Sequence, residues 1–139
     1  MDKIRLGRTG LMVSACGFGA LPIQRIPLKD AAYLLRKAYD HGINYFDTAN
    51  AYSDSEEKIG AALADVRGKI VISTKSGGKD YKTVLEHIQL SLKRMKTDYI
   101  DLIQLHNPVT LPDPDGPTKA VISFSFASKE MLCKTSVSL

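Results

Sequence analysis

Cysteine, tryptophan and long apolar runs are scarce in this chain, and each shortage excludes a class of protein. Only two cysteines, Cys16 and Cys133, and no tryptophan occur among 139 residues. Their spacing fits neither a metal site nor a redox dithiol nor a disulfide scaffold, so we expect a reducing, cytoplasmic compartment. No apolar run reaches the roughly 18 residues of a membrane-spanning helix, and the polar start MDKIRLGRTG is unlike a secretory signal peptide. We therefore expect no membrane association.

Charge of one sign is not concentrated anywhere in the sequence. Nineteen Lys and Arg residues oppose 15 Asp and Glu residues, which leaves a net charge of +4. The basic residues form no stripe interleaved with aromatic residues, which is the footprint expected of a nucleic-acid-binding protein. Because 44% of the residues are hydrophobic and 24% are charged, the composition is that of a globular domain with a mixed, solvated surface.

Short runs rich in β-branched residues alternate with amphipathic helical patterns. Strands are predicted over residues 15–19, 43–47, 69–74 and 99–105. Helices are predicted between them, over 28–41, from Ser53 to about Leu63, and over 81–95. A polar opening with Arg8-Thr9-Gly10 as its turn predicts a small hairpin before the first strand. This order predicts a parallel α/β sheet with right-handed crossovers, and it fits either an open doubly wound sheet or a (β/α)₈ barrel.

Local signals predict where the helices end and which side chains turn inward. Gly42 follows the first helix as a C-terminal stop. Ser53 and Glu56 have the spacing of a capping box and are expected to open the second helix. Apolar strand residues are expected on the inner face of the sheet, with these contributors: Phe46, Ile72 and Ile103.

Four titratable residues fall where the predicted strands end. Asp47 ends the second strand, and Tyr52 follows it in the next loop. Lys75 ends the third strand, and His106 ends the fourth. Each residue alone has an ordinary structural explanation, such as a cap, a turn or a satisfied hydrogen bond. Because the carboxyl ends of parallel strands share one face, where ligands bind, the four side chains are expected to converge there.

A phenol, an ammonium group, a carboxylate and an imidazole can together protonate a carbonyl oxygen. A cation held beside a phenol favours the phenolate and so makes the phenol a better proton donor. A carboxylate such as Asp47 would keep a buried Lys75 charged. A neutral imidazole from His106 could hold a substrate oxygen next to Tyr52. The set predicts an acid aimed at an oxygen that becomes negative in the transition state.

Four segments resemble the aldo-keto reductase family. They are, in order, KIRLGRTGLMVSACGFGALPI for its hairpin and first barrel strand, GINYFDTANAYSDSEEKIGAAL for its Asp…Tyr motif, VISTKSG for its lysine strand and RMKTDYIDLIQLHNP for its histidine strand. The resemblance covers residues 1 to about 119 and implies a (β/α)₈ barrel. It implies that NADPH, or less often NADH, reduces a small aldehyde or ketone without a metal.

The resemblance also assigns roles to the predicted site. It implies that Tyr52 is the general acid, that Lys75 and Asp47 tune it, and that His106 orients the substrate. For the cofactor, Gly19 and Asp47 are weak candidates, because Gly17 and Gly19 could let the backbone approach a ligand closely. The segment GFGALP is not a dinucleotide-binding fingerprint of the Rossmann type.

The sequence is shorter than a complete barrel, which needs about 250 residues. The periodic pattern and the resemblance both fade after DPDGPTKAV, so we divide the chain into a partial barrel over 1–117 and a divergent tail over 118–139. We expect the first four β/α units of a barrel, ended near Ala120 by a frameshift or a premature stop. The second half, which holds most of the family's cofactor contacts, would then be absent.

Three functions remain open at this point. The first is an NAD(P)H-dependent carbonyl reductase, with Tyr52 as its acid. The second is a catalytically inactive fragment that binds a partner or associates with itself through open sheet edges. The third is a barrel enzyme that forms a Schiff base on Lys75. The combination of Asp47, Tyr52, Lys75 and His106 favours the first function over the third.

Overall fold

The computed structural model describes residues 1–107, which form a hairpin, a four-stranded parallel sheet and three α-helices. The hairpin consists of β1 (Lys3–Arg5) and β2 (Met12–Ser14). The parallel strands are β3 (Phe18–Gly19), β4 (Tyr45–Asp47), β5 (Val71–Ser76) and β6 (Leu102–Leu105). The helices are α1 (Leu28–Asp40), α2 (Ser55–Leu63) and α3 (Tyr81–Met95), with 3₁₀ segments over Pro22–Arg25 and Ala64–Lys69. The predicted tail over 118–139 lies outside the described residues.

The order of the strands in the sheet is the order of the chain. The sheet runs β3-β4-β5-β6, and every pairing in it is parallel. Because each right-handed crossover returns the chain to the next strand from the same side, α1, α2 and α3 all pack on one face. A doubly wound sheet would carry helices on both faces. The arrangement confirms the predicted fold class, which is the N-terminal part of a (β/α)₈ barrel preceded by a hairpin.

The main hydrophobic core lies between the sheet and the helices. Phe46, Ile72 and Ile103 are almost fully buried there. They pack among apolar residues of the three helices, such as Leu35 and Ile59. The prediction that these strand residues line the inner face is therefore wrong. Side chains alternate between the two faces of a strand, and the crossover helices take the apolar set to bury their own apolar stripes.

The opposite, inner face of the sheet is mostly polar in its upper part. It carries these side chains: Tyr45, Asp47, Ser73, Lys75 and Gln104. Its lower part is apolar, because Val13 of the hairpin packs there against Val71 and Leu102. Asn44 fastens the hairpin to the sheet, since its Oδ1 accepts the Ser14 backbone N–H at 2.6 Å. The hairpin thus closes the bottom of the inner face, and within residues 1–107 it does not cover the polar top.

The two long helices match their predicted spans and end as their sequences indicate. In α1 the stop is Gly42, which has φ +90° and donates its N–H to the Tyr39 carbonyl at 2.8 Å. In α3 the first residue follows Asp80, whose side chain accepts the Thr83 backbone N–H at 3.0 Å. Both ends therefore satisfy backbone groups that a helix terminus leaves without partners.

The predicted strand limits are displaced where side chains replace backbone pairing. Strand β5 begins at Val71 because the preceding residues form a 3₁₀ segment, and it continues to Ser76 beside β6. Lys75 is thus the penultimate residue of its strand rather than the last. Strand β6 begins only at Leu102, because the Asp101 carboxylate accepts the Ile72 backbone N–H at 2.9 Å in place of a strand carbonyl.

The predicted capping box at the start of α2 is wrong. The N-cap residue is Asp54. Among residues 1–107, no side chain forms a capping hydrogen bond to the start of α2. Ser53 has φ +39°, and its hydroxyl donates to Gln24 Oε1 at 3.2 Å. Glu56 is buried and accepts a hydrogen bond from Thr74 of β5, so it is unavailable to the helix terminus.

Helices α2 and α3 approach each other closely at Gly60. A Cβ atom at this position would lie 2.5 Å from the Arg94 carbonyl oxygen and 2.7 Å from the Met95 carbonyl carbon. Gly60→Ala would gain about 1 kcal/mol of helix propensity. It would also force two backbones apart, which costs about 1–3 kcal/mol. We expect a lower free energy of unfolding in urea, whereas Gly68→Ala, with no atom within 4 Å of its added Cβ, should change little. Equal losses in both variants would contradict this reading.

Tyr45 should make the fold sensitive to alkaline pH. Burial raises the pKa of the Tyr45 phenol above its usual range, and a hydrogen bond with Ser73 acts in the opposite direction. The neutral phenol therefore stabilises the fold below its ordinary pKa, and this stability is lost as the pH rises through the higher folded pKa. We expect Tyr45→Phe to weaken the loss of stability above about pH 10. The control is Tyr33→Phe, because Tyr33 is exposed on α1; the same change in both variants would refute the assignment to Tyr45.

Candidate active site

Lys75 and Asp47 form an ion pair on the inner face of the sheet. The Lys75 Nζ atom lies 2.6 Å from Asp47 Oδ2 and 2.7 Å from the Thr48 carbonyl oxygen. The Lys75 side chain keeps only 15% of its exposure, and that of Asp47 keeps 33%. An ammonium group has three N–H donors, so one remains beyond these two partners. The pair places a well-anchored cation at the upper edge of the inner face.

Tyr52 and His106 stand on the open side of this pair. The Lys75 Nζ atom is 5.3 Å from the centroid of the Tyr52 ring, within the range of a cation–π contact. The rings of Tyr52 and His106 meet edge to face, with their centroids 5.7 Å apart and their planes at 85°. Both side chains are half-buried. The four predicted residues are therefore together, and the Tyr52 ring lies close to both the Lys75 ammonium and the His106 ring.

Backbone pairing beyond the strand ends fixes the loop that carries Tyr52. The Thr48 N–H donates to the Ser73 carbonyl at 2.8 Å, and the Asn50 N–H donates to the Lys75 carbonyl at 3.0 Å. The Tyr52 N–H then donates to the Ala49 carbonyl at 3.0 Å in a tight turn. The loop follows β5 for three more residues before it turns into α2, so Tyr52 is brought back over Lys75.

His106 is held in a similar way at the end of β6. Its backbone N–H donates to the Ser76 carbonyl at 2.8 Å. The Ser76 hydroxyl in turn meets His87 Nδ1 of α3 at 2.9 Å. The ends of β5 and β6 are thus tied to each other and to the first turns of α3, which sets the position of the His106 ring.

Two glycines at the first strand have different surroundings. A Cβ atom at Gly17 would collide with the Tyr45 ring at 2.8 Å, so this glycine is explained by packing. At Gly19, which is paired in register with Asp47, a Cβ atom would meet no other part of residues 1–107 within 4 Å. Open space therefore lies beside Asp47, where a ligand could approach the backbone of β3. Gly19 and Asp47 are compatible with a cofactor at this point.

Sequence reasoning missed two polar residues of the inner face, Ser73 and Gln104. Gln104 Nε2 donates to the Ser73 hydroxyl at 2.8 Å, and both residues lie directly below the predicted site. The signal was available in the sequence. Ser73 precedes Lys75 by two residues, and Gln104 precedes His106 by two, so alternation places each pair on one face.

Other features of the described residues lie away from this site. Two surface concavities, of about 660 Å³ and 490 Å³, are lined by the helices and adjoining loops and include none of the four residues. Within residues 1–107, no group of three or more His, Cys, Asp or Glu residues is arranged to hold a metal ion. The helices of this part of the chain are too short or too polar to cross a membrane.

Comparisons with known proteins identify the family to which the matched segment is similar. The family model described as "Aldo/keto reductase family" matches residues 15–127, which extends beyond the segments whose resemblance is apparent by motif. A probable voltage-gated potassium channel subunit beta of Arabidopsis thaliana is 36% identical over 124 residues, which cover 78% of this chain and 38% of that protein. The matched range of the family model includes all four candidate residues.

Solved structures show the same relationship. The aldo-keto reductase AKR11C1 from Bacillus halodurans, in its holo form, superposes with a TM-score of 0.73 at 34% identity, covering 82% of this chain and 42% of that one. An aldo-keto reductase from Klebsiella pneumoniae, solved in complex with NADPH, gives a TM-score of 0.68 at 29% identity, covering 80% of this chain and 41% of that one. This chain thus spans about two fifths of these relatives. Because the family model matches residues 15–127, and the sheet and the order of elements agree with it, the chain belongs to the aldo/keto reductase family.

Proposed function

We propose that this chain carries the proton-donating half of an NAD(P)H-dependent carbonyl reductase. The observation that supports the proposal best is that the Tyr52 ring lies close to both the Lys75–Asp47 ion pair and the His106 ring. In the proposed reaction a small aldehyde or ketone becomes an alcohol. Tyr52 is the general acid, His106 orients the substrate, and Lys75 and Asp47 assist the acid.

The proposed chemistry divides between cofactor and protein. A reduced nicotinamide supplies a hydride to the carbonyl carbon. Tyr52 supplies the proton to the carbonyl oxygen as negative charge develops there. The Lys75 ammonium stabilises the phenolate that remains, and the low exposure of Lys75 strengthens this effect because fewer water molecules screen it. Asp47 holds the ammonium in place at 2.6 Å.

The residues present are compatible with part of a nicotinamide site. Open space beside Gly19 and Asp47 adjoins the Lys75 side chain, so a ring could lie over the inner face there. The neighbour from Klebsiella pneumoniae was solved with NADPH, which supports NADPH as the first cofactor to test, with NADH as the second. The proposal includes a cytoplasmic location, which rests on the sparse cysteines of the sequence.

The contacts of Lys75 argue against a Schiff-base enzyme. A lysine that attacks a carbonyl needs an amine with a lone pair, usually obtained by desolvation or by a neighbouring cation. Lys75 instead donates to a carboxylate and to a backbone carbonyl. Borohydride trapping with a carbonyl substrate separates the two: a Schiff-base enzyme is labelled on Lys75, and the proposed reductase is not.

The proposal predicts that Tyr52→Phe abolishes reduction and preserves cofactor binding. The phenyl ring keeps its contacts with Lys75 and His106 but has no proton to give, so the rate should fall by about 10²–10⁴-fold. Cofactor affinity is measured by the fluorescence enhancement of NADPH, and turnover by the loss of its absorbance with a panel of carbonyl compounds. Tyr81→Phe is the matched control, since Tyr81 is exposed at the start of α3.

Two results would overturn this assignment. A Tyr52→Phe variant that keeps the full rate removes Tyr52 from the role of acid. Failure of the 139-residue chain to bind NADPH at millimolar concentration would show that this chain alone is not a reductase.

The alternative proposal for this chain is association with itself through its sheet edges. Within the described residues, β3 and β6 each have a strand neighbour on one side only, and such edges pair readily with another chain. We expect light scattering on the 139-residue chain to give a mass at least twice the 15.2 kDa of one copy. Leu105→Lys, which places a charge on the exposed end of β6, should lower this mass. A sharp monomer that melts cooperatively would count against association.

A further inference from the structure

We infer that Arg94 and Glu56, which lie behind the sheet, are positioning residues for Tyr52. This inference rests on the proposed function for its catalytic consequence. Neither residue is on the inner face: Glu56 belongs to α2, and Arg94 is the penultimate residue of α3. Their contacts nevertheless converge on the loop that carries Tyr52.

Glu56 is a carboxylate buried in the helix–sheet interface. It is 1% exposed, and its Oε1 accepts the Thr74 hydroxyl at 2.7 Å. Its other oxygen, Oε2, lies 3.3 Å from Arg94 Nη1. A buried carboxylate is costly unless it is both paired and hydrogen-bonded, and here it has one partner of each kind. Because Thr74 precedes Lys75 in β5, the carboxylate is anchored to the strand that carries the site lysine.

Arg94 links this carboxylate to the loop before Tyr52. The same Nη1 atom donates to the Asn50 carbonyl oxygen at 3.1 Å. Asn50 is also held at its other groups: its N–H donates to the Lys75 carbonyl at 3.0 Å, and its Nδ2 lies 3.3 Å from the Ser91 hydroxyl. The peptide two residues before Tyr52 is therefore clamped between β5 and α3.

The clamp acts on the segment that enters the turn carrying Tyr52. After Asn50 the chain makes a tight turn, and Ser53 occupies the left-handed region at φ +39°. The close approach of α2 and α3 at Gly60 brings the Arg94 backbone near enough for its side chain to reach both Glu56 and Asn50. Without the arginine, the Asn50 carbonyl would lose its side-chain donor, and the Tyr52 ring would move relative to Lys75 and His106.

The test is a double variant, Arg94→Met with Glu56→Gln. Loss of one partner alone would leave a buried charge unpaired. The fold would then be destabilised by that charge, whether or not the pair positions Tyr52. The double variant removes both charges, keeps an unbranched apolar stem at position 94, and retains in glutamine an acceptor for Thr74. It lacks the donor to the Asn50 carbonyl, and it also loses the 3.7 Å contact between Arg94 Nε and the exposed Glu57 carboxylate.

The readout is the ring-proton resonances of His106, which report the ring current of Tyr52 across their edge-to-face contact. The chain has three histidines, so these signals are readily assigned, and Tyr52→Leu gives the shift expected when the contact is lost. We expect the double variant to melt cooperatively and its His106 resonances to move towards those of Tyr52→Leu. Arg36→Met, which removes an arginine from an exposed pair on α1, is the control and should leave them unchanged.

Unchanged His106 resonances in the folded double variant would overturn the inference. If the double variant does not melt cooperatively, Arg94→Lys decides instead. Lysine keeps Glu56 compensated but is one atom shorter, so its loss of contact with the Asn50 carbonyl should displace the resonances in part, and wild-type resonances would again overturn the inference.

Turnover provides a second, separate readout. Where the chain reduces a carbonyl compound, the double variant should lower kcat at least about ten-fold with the KM for NADPH unchanged, because misplacing a reacting group by about 1 Å costs on the order of 100-fold. A fall in NADPH affinity with kcat intact would contradict the positioning role. The resonances are measured without turnover, so a failure of the proposed function and a failure of this inference are distinguishable.

Discussion

The structure around the candidate site depends on satisfying one ammonium group inside a sheet. Lys75 projects onto the inner face from β5, an interior strand of the sheet. Most of its side-chain surface there is shielded from solvent. Its charge is tolerable there because Asp47 and the Thr48 carbonyl both lie within 2.7 Å. Those two acceptors belong to consecutive residues at the end of β4. The need to satisfy the lysine therefore fixes where β4 ends and where the loop to Tyr52 begins.

Because side chains alternate along a strand, one face of each strand packs against the helices and the other carries the polar residues. In β5 the even-numbered residues Ile72 and Thr74 face the helices, and the odd-numbered Ser73 and Lys75 face inward. Burial of the apolar set against α1, α2 and α3 holds the strands in register. The polar side chains on the other face can then converge, because the stability of the sheet does not depend on an apolar core there. The hairpin covers only the lower end of that face.

Sequence reasoning predicted most of this organisation. The helices over 28–41 and 81–95 follow from clear periodicity and sharp end signals, so their limits agree with the structure to within a residue. The four site residues were placed together because strand order alone brings the carboxyl ends of parallel strands to one edge. These features depend on local pattern and on topology, both of which a sequence contains.

The errors arose where a tertiary contact overrides a local signal. Glu56 has the spacing of a capping residue, but the buried contact with Thr74 outweighs a cap that water could replace. The prediction places three strand residues, Phe46, Ile72 and Ile103, on the wrong face of the sheet. The sequence of a short apolar strand does not show which of its two sides packs against the helices. The start of β6 was placed too early, because a carboxylate from Asp101 serves as the acceptor for Ile72.

Two charge systems on opposite faces of β5 meet at the same loop. On the inner face, Lys75 binds the Thr48 carbonyl. On the helix side, Arg94 binds the Asn50 carbonyl and is compensated by Glu56. The segment before Tyr52 is thus held from both sides, through the carbonyl groups of Thr48 and Asn50, and each cation that holds it is paired with a carboxylate. On the inference drawn above, the position of the Tyr52 phenol depends on charged groups on both faces of the sheet, including two residues that do not lie at the candidate site.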